Sequence, residues 1–237
     1  MRFLRLSMTL LVSLGLLSGC GFTDSGSGTD TMRVNVMVSY KFGGSEQSLC
    51  TASVNTPGGL PVTDATIVLS NGDDTELVTL TPVSDEDGTY VGSFAGYEEK
   101  LYLSITSPQD GNLEAALQGP TRHIIASPQH SSVVSRSSIL DGLKVTWDAE
   151  HGIRADEVVL RVPEKTEGFG DSDDDIENYV YQSGSKDDTG SGVIPGDTFT
   201  DTESIQVLRR NTTVLSGGYE GSLFGTSYLV ENQIAVD

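Results

Sequence analysis

The chain has 237 residues, and its 34 Asp and Glu against 14 Lys and Arg give a formal charge of −20 and a pI near 4.2. A surface of that sign repels phosphate backbones, which excludes nucleic acid as a partner, and it serves solubility first, with attraction to cations or basic partners as the alternative. Two cysteines exclude a disulfide-rich scaffold, so the fold rests on its core, and about 200 residues suffice for one large or two small ones.

The chain opens with Arg2 and Arg5, then an apolar run from Leu6 to Leu17 broken only by small residues. The run is too short to span a bilayer, which takes about 20 residues. Positive start, short apolar stretch and small residues at the end form the layout of a secretory leader. Its last residues, Leu17-Ser18-Gly19-Cys20, resemble the lipobox of bacterial lipoproteins. The resemblance implies cleavage between Gly19 and Cys20, diacylglycerol on the Cys20 thiol and an acyl group on its new amine. Multiple acyl chains make a stable anchor where one does not. Gly21 stands where an aspartate would be associated with inner-membrane retention, so in a Gram-negative cell the resemblance implies the outer membrane. Losing residues 1–19 removes two arginines and no carboxylate, which takes the formal charge to about −22.

Residues 20–31 follow as the lipidated cysteine and a Gly/Ser/Thr/Asp linker that reaches roughly 35 Å when extended. A first domain is expected over 32–126. Val34, Val36, Val38, Tyr40 and Phe42 recur at every second position, as in a strand with one buried face. Cys50, Ala52 and Val54 continue the alternation, which makes Cys50 a buried structural thiol. Ala65, Ile67 and Leu69 form a strand ended by Asn71-Gly72, a hairpin signal. Leu77 to Val83 follows, then a turn at Asp85-Glu86-Asp87-Gly88, then Tyr90, Gly92 and Phe94, and last Leu101, Leu103 and Ile105. Short strands at intervals of 8–12 residues are the pattern of an all-β sandwich. Asn112 to Leu117 suits a helical turn or a strand.

The run Leu60-Pro61-Val62-Thr63-Asp64-Ala65-Thr66-Ile67-Val68-Leu69, with Asp87-Gly88-Thr89-Tyr90 after it, resembles the carboxypeptidase-regulatory or transthyretin-like (prealbumin-like) β-sandwich. A generic immunoglobulin-like module fits the same residues. The resemblance implies a fold and no activity.

Gly119-Pro120 and Ser127-Pro128 mark the connection to a second domain over 133–237. His123 and His130 flank it and are read as surface histidines. Leu143-Lys144-Val145-Thr146-Trp147 and Val158-Val159-Leu160-Arg161-Val162 resemble the second and third strands of a fibronectin type III-like domain, with Tyr228-Leu229-Val230 as its late tyrosine-bearing strand. Ile205 and Val207, Val214 and Leu215, and Tyr228 through Val236 supply the rest. The expected fold is all-β: two tandem immunoglobulin-like or prealbumin-like sandwiches after a cleaved leader.

Asp171, Asp173 and Asp175 place carboxylates on alternate residues, as a calcium loop does, and Asp187, Asp188 and Asp197 are near in sequence. The EF-hand pattern fails at Ile176 and Gln182, so a solvated acidic loop is expected, with calcium as the alternative. No G-x-S-x-G, H-E-x-x-H, P-loop or C-x-x-C motif occurs. No catalytic residue, cofactor or metal is therefore expected beyond the lipid on Cys20. The sequence points to a non-enzymatic, bilayer-tethered lipoprotein that serves as an envelope accessory or a surface interaction and adhesion module with a protein partner. Trp147, on an alternating strand, is read as a core residue; the alternative function is a periplasm-facing carbohydrate or small-ligand binder, in which Trp147, Tyr179 or Tyr181 would form an exposed platform.

Overall fold

Alternation sets the strands. In the computed structural model, which describes residues 27–28, 30–44, 46–148, 152–164, 179–200 and 202–237, the N-terminal half forms β1 (Ser27–Gly28), β2 (Arg33–Lys41), β3 (Gln47–Asn55), β4 (Thr66–Asn71), β5 (Glu76–Thr79), β6 (Thr81–Pro82), β7 (Thr89–Ala95), β8 (Lys100–Ser107) and β9 (Gly111–Gln118). Val34, Val36, Val38 and Tyr40 point inward from β2, while Phe42 lies past its end and is exposed, contrary to its place in the alternation. The Leu77–Val83 stretch is two strands on different sheets: β5 pairs with β4, β6 with β7, and the buried Leu80 sits at the crossing. The undecided segment 112–117 lies in β9, paired along its length with β8.

The C-terminal half contributes β10 (Ile125–Ser127), β11 (Ser132–Val134), β12 (Leu143–Trp147), β13 (Glu157–Pro163), β14 (Tyr179–Gln182), β15 (Ser191–Ile194), β16 (Thr202–Val214) and β17 (Leu223–Val236), with short 3-10 turns at Arg136–Ile139 and Gly196–Thr198. The fold is all-β. A nine-stranded sheet runs β14-β13-β16-β17-β2-β3-β7-β6 with β11 beside β17; a five-stranded sheet (β1-β9-β8-β4-β5) and a three-stranded sheet (β10-β12-β15) complete the architecture. The long β16–β17 hairpin is antiparallel, and β17 also lies parallel to β2, from Leu223 opposite Asn35 to Leu229 opposite Lys41.

Two cores lie on one side of the large sheet. The first packs Val34, Val36 and Val38 against Ile67, Leu103 and Leu113 of the five-stranded sheet. The second packs Val158, Val207 and Val230 against Val145, Trp147 and Ile194 of the three-stranded sheet. The chain crosses between them: Leu215 and Phe224 of the C-terminal half belong to the first core, Tyr40 and Tyr97 of the N-terminal half to the second.

The hairpin at residues 85–88 closes as its sequence requires. Gly88 holds φ +75°, and a Cβ there would lie 2.7 Å from the Val54 carbonyl oxygen. At the other hairpin the left-handed residue is Asp74 (φ 58°), while Gly72 is not in that region. The Asn71 side chain sets that turn, its Oδ1 accepting from the Asp73 and Thr75 amides at 3.0 Å each.

Candidate interaction face

Of the residues singled out by the sequence, Gly19, Cys20, Asp171, Asp173 and Asp175 lie outside the described residues. Cys50 is buried, and burial pushes its thiol up to about 12, a poor nucleophile. Among the described residues no three His, Cys, Asp or Glu side chains come together as a metal site. His130 is exposed and accepts the Gln233 amide on Nδ1 at 3.2 Å.

His123 is not a surface residue. It is 3% exposed, its ring centroid 5.1 Å from that of Tyr228. Burial, and then the Arg209 charge, push its imidazole down to about 3, so it is neutral. Tyr228 also stacks on Tyr40 at 5.2 Å and meets Tyr97 edge-on at 4.8 Å. The aromatic group sits where the two cores meet, and the Tyr97 hydroxyl ties it to the Pro120 carbonyl at 2.7 Å.

Asp188 does not serve the acidic loops either. It is buried against Arg209, which gives it Nε at 2.9 Å and a second, shorter bond from Nη2. The other donors to Asp188 are the Trp147 indole N–H at 2.8 Å and the Ala155 amide at 2.9 Å. Burial raises that carboxyl, but these hydrogen bonds and the guanidinium charge outweigh it and hold the group below its ordinary value. Arg209 spends its remaining donors on the Thr121 and Ile153 carbonyls. Each charge is satisfied internally, so the cluster fastens Thr121, Trp147, Ile153, Ala155 and Asp188 to β16. The inward parity of Ile205, Val207, Arg209 and Asn211 was the one sequence sign of it, since an arginine on a buried face demands a partner.

Trp147 is thereby buried, which removes it as an exposed platform. Tyr179 and Tyr181 do not form one together. A register shift between Val162 and Pro163 interrupts the alternation opposite them, and Tyr181 packs on the second core while Tyr179 lies against the Arg161 guanidinium at 4.8 Å.

The far face of the nine-stranded sheet is different in kind. Register places Val214, Leu223, Asn35, Ser53 and Thr89 in one row across five strands, and Thr212, Gly225, Met37, Thr51 and Val91 in the next. A third row joins Arg210, Ser227, Ser39, Leu49 and Ser93. Between the first two rows lies a cleft of about 350 Å³ bounded by Asn35, Met37, Thr51, Ser53 and Leu223. Its floor is the bare backbone of Gly225, where a Cβ would lie 2.7 Å from the Met37 Cε. Leu49 stands beside it 54% exposed, and Leu223 on its rim is 43% exposed.

Charge is scarce on this face. The outward positions of β2, β3, β7, β16 and β17 hold one carboxylate, Glu231, in a chain with 34. Lys41 pairs with it at 2.9 Å, and Ser204 and Gln206 also donate to it. The acidic residues cluster instead in the turns and loops, at 73–74 and 85–87 among others. The sequence signal for the face was the apolar Leu49, Val91 and Leu223 at positions whose neighbours point inward.

The chain matches no known protein family and no curated protein sequence. Among solved structures it is similar to trypsin-activated alpha-2-macroglobulin from Escherichia coli, at 14% identity and a TM-score of 0.28 over 88% of this chain and 16% of that one. Salmonella alpha-2-macroglobulin reacted with methylamine gives the same identity and score, over 88% of this chain and 15% of that one. The adhesin InvE of Yersinia pseudotuberculosis gives 13% identity and a TM-score of 0.26, over 85% of this chain and 60% of that one. The chain thus spans less than two thirds of each. Similarity at that level fixes neither family nor activity.

Proposed function

We propose that the chain is a lipid-anchored protein of the bacterial cell envelope that works by contact, without catalysis, through the open face of its nine-stranded sheet. The observation that carries the contact reading is that face: apolar side chains and hydroxyls around a cleft, nearly free of carboxylates in a strongly acidic molecule. Apolar side chains left in water over several neighbouring strands mark a binding surface. The tether rests on Leu17-Ser18-Gly19-Cys20 and on the short leader before it, and in a Gram-negative cell Gly21 favours the outer membrane. The internally satisfied Asp188–Arg209 cluster supports a structural use of the most polar buried groups.

The tether is tested by Cys20→Ala, which should move the protein from the membrane pellet to the soluble fraction and abolish incorporation of labelled fatty acid. Unchanged membrane retention would refute the anchor. The contact reading is tested with a photo-crosslinking amino acid at Leu49 or Leu223 in intact cells. Adducts are expected at both positions and not at Val193, which is exposed on the three-stranded sheet.

The cleft favours a second reading, a small-ligand binder, since its volume falls in the range of small-molecule sites. In that case Gly225→Ala, which crowds the Met37 thioether from below, would abolish binding of the ligand and leave crosslinking at Leu49 unchanged.

A further inference from the structure

We propose that the open face of the nine-stranded sheet takes a second copy of this chain, packed face to face about a two-fold axis, with Leu49 of each copy seated in the cleft of the other. This rests on the reading of that face as the contact surface and names its occupant.

The first argument is electrostatic. Two molecules of formal charge −20 repel wherever their acidic turns approach. Across the outward positions of β2, β3, β7, β16 and β17 that repulsion is nearly absent, because Glu231 is the single carboxylate there and Lys41 pairs with it. The large sheet is the side from which a like-charged copy can approach.

The second argument is self-complementarity. In a two-fold contact the same patch supplies both sides, and near the axis each residue meets its own counterpart. Charged residues fail there, since like meets like. Hydroxyls succeed, since each one donates and accepts, and methyl groups are indifferent to which copy they belong to. Ser39, Thr51, Ser53 and Thr89, interleaved with Met37 and Leu223, are residues of those two kinds, and Arg210, the one charge in the three rows, sits at their β16 edge and pairs with Glu157 of β13.

The third argument is shape and size. A knob and a hole occur on the same face: Leu49 is 54% exposed, and the cleft of about 350 Å³ beside it has room for a branched side chain. Leu49 and Thr51 are neighbours on the outward side of β3, so an axis near Thr51 carries each leucine onto the other copy's cleft. Met37 can adjust around the incoming side chain, as unbranched thioethers do. Five strands by seven residues give a patch of about 24 Å by 23 Å. Its relief brings it to the order of the ~800 Å² that each partner contributes to a standard interface.

The experiment combines sedimentation of the full chain in density-matched detergent with the Leu49 photo-crosslink in cells. The expected result is a particle of twice the chain mass and a crosslinked adduct of the same mass. Leu49→Asp should weaken association by at least about tenfold, while Val193→Asp leaves it unchanged. Both positions are exposed, so neither substitution threatens folding, and matching thermal melts check this. Added salt should raise the dimer fraction by screening the acidic turns. A monomeric particle, or a dimer indifferent to Leu49→Asp, overturns the proposal. A monomer whose Leu49 adduct has another mass overturns the dimer and leaves the face as a contact surface for a different partner. The absence of any adduct overturns both.

Discussion

The Asp188 carboxylate and the Arg209 guanidinium form a two-point ion pair with each side chain 1% exposed, and the same carboxylate accepts the indole N–H of the chain's single tryptophan. Strands β12 and β16 and the stretch leading into β13 are held in position around it through Trp147, Arg209 and Ala155.

Removing one partner of that pair leaves the other charge buried and alone. Arg209→Met is expected to lower unfolding free energy by about 3–5 kcal/mol, as Asp188→Asn does by a similar amount. The double variant Asp188→Asn with Arg209→Met should lose clearly less than the sum of the two single losses, because neither charge is then stranded. Urea unfolding of the four proteins gives the cycle, and additivity within about 0.5 kcal/mol would contradict the coupling.

Trp147 gives a direct optical readout of the same site. Its emission is expected to be blue-shifted and insensitive to iodide, because the ring is buried in the second core. Asp188→Ala should leave the ring buried but remove the acceptor of its N–H. A red-shifted, iodide-quenched tryptophan in the unaltered protein would contradict the burial.

Acid should destabilise the protein through His123. Its folded value, about 3, lies below the ordinary value near 6.5 of an unfolded chain, so the unfolded state binds the proton first. The stability held by the neutral ring is fully present above pH 6.5 and falls as pH drops toward 3. Between pH 6.5 and 5 the loss is about 2 kcal/mol. Many carboxylates also titrate toward the lower end of that range, so the measurement is a difference. His123→Phe should show a shallower fall in thermal midpoint than the unaltered chain, and parallel curves would rule His123 out as the cause.

Tyr90 clasps the stretch that precedes β4. Its hydroxyl donates to the Val62 carbonyl at 2.8 Å and accepts the Ala65 amide at 3.1 Å. Tyr90→Phe strands both backbone groups and is expected to lower stability by about 2 kcal/mol, read from the midpoint of chemical unfolding. A change under about 0.5 kcal/mol would mean that water replaces the hydroxyl.

Much of this was legible in the chain. Val34 to Tyr40, Cys50 to Val54 and Leu101 to Ile105 alternate and are buried as their parity requires. Gly88 and Tyr90 sit where the Asp-Gly-x-Tyr pattern places them. Segment 112–117 shows why local reading stopped short. Six residues are too few to nucleate a helix unaided, and the deciding fact was β8, ready to pair along the whole of β9. His123 and Arg209 were hidden for a similar reason. His123, a polar side chain next to a turn, looks exposed until the topology brings Tyr228 over it, and although the parity of Arg209 points inward, no spacing rule links it to residue 188. The carboxylate-poor face was hidden for the opposite reason. Its residues are far apart in sequence and become one surface only when β17 lies down beside β2.

That last pairing also governs how the molecule comes into being. The Val34 amide donates to the Ser222 hydroxyl at 3.0 Å across 188 positions of sequence, and both cores need residues on each side of that gap. A chain whose decisive contacts are so remote must close a very long loop before any of them reward it, and such chains assemble late and slowly. A ribosome that has delivered two hundred residues has still delivered neither core in full, because Phe224 and Ile234 are missing. Until then the N-terminal strands have only their own pairings, such as β2 with β3 and β8 with β9, and lack the β17 side of their core. That delay is what a polypeptide needs if it is to be threaded through a narrow translocation channel before it sets.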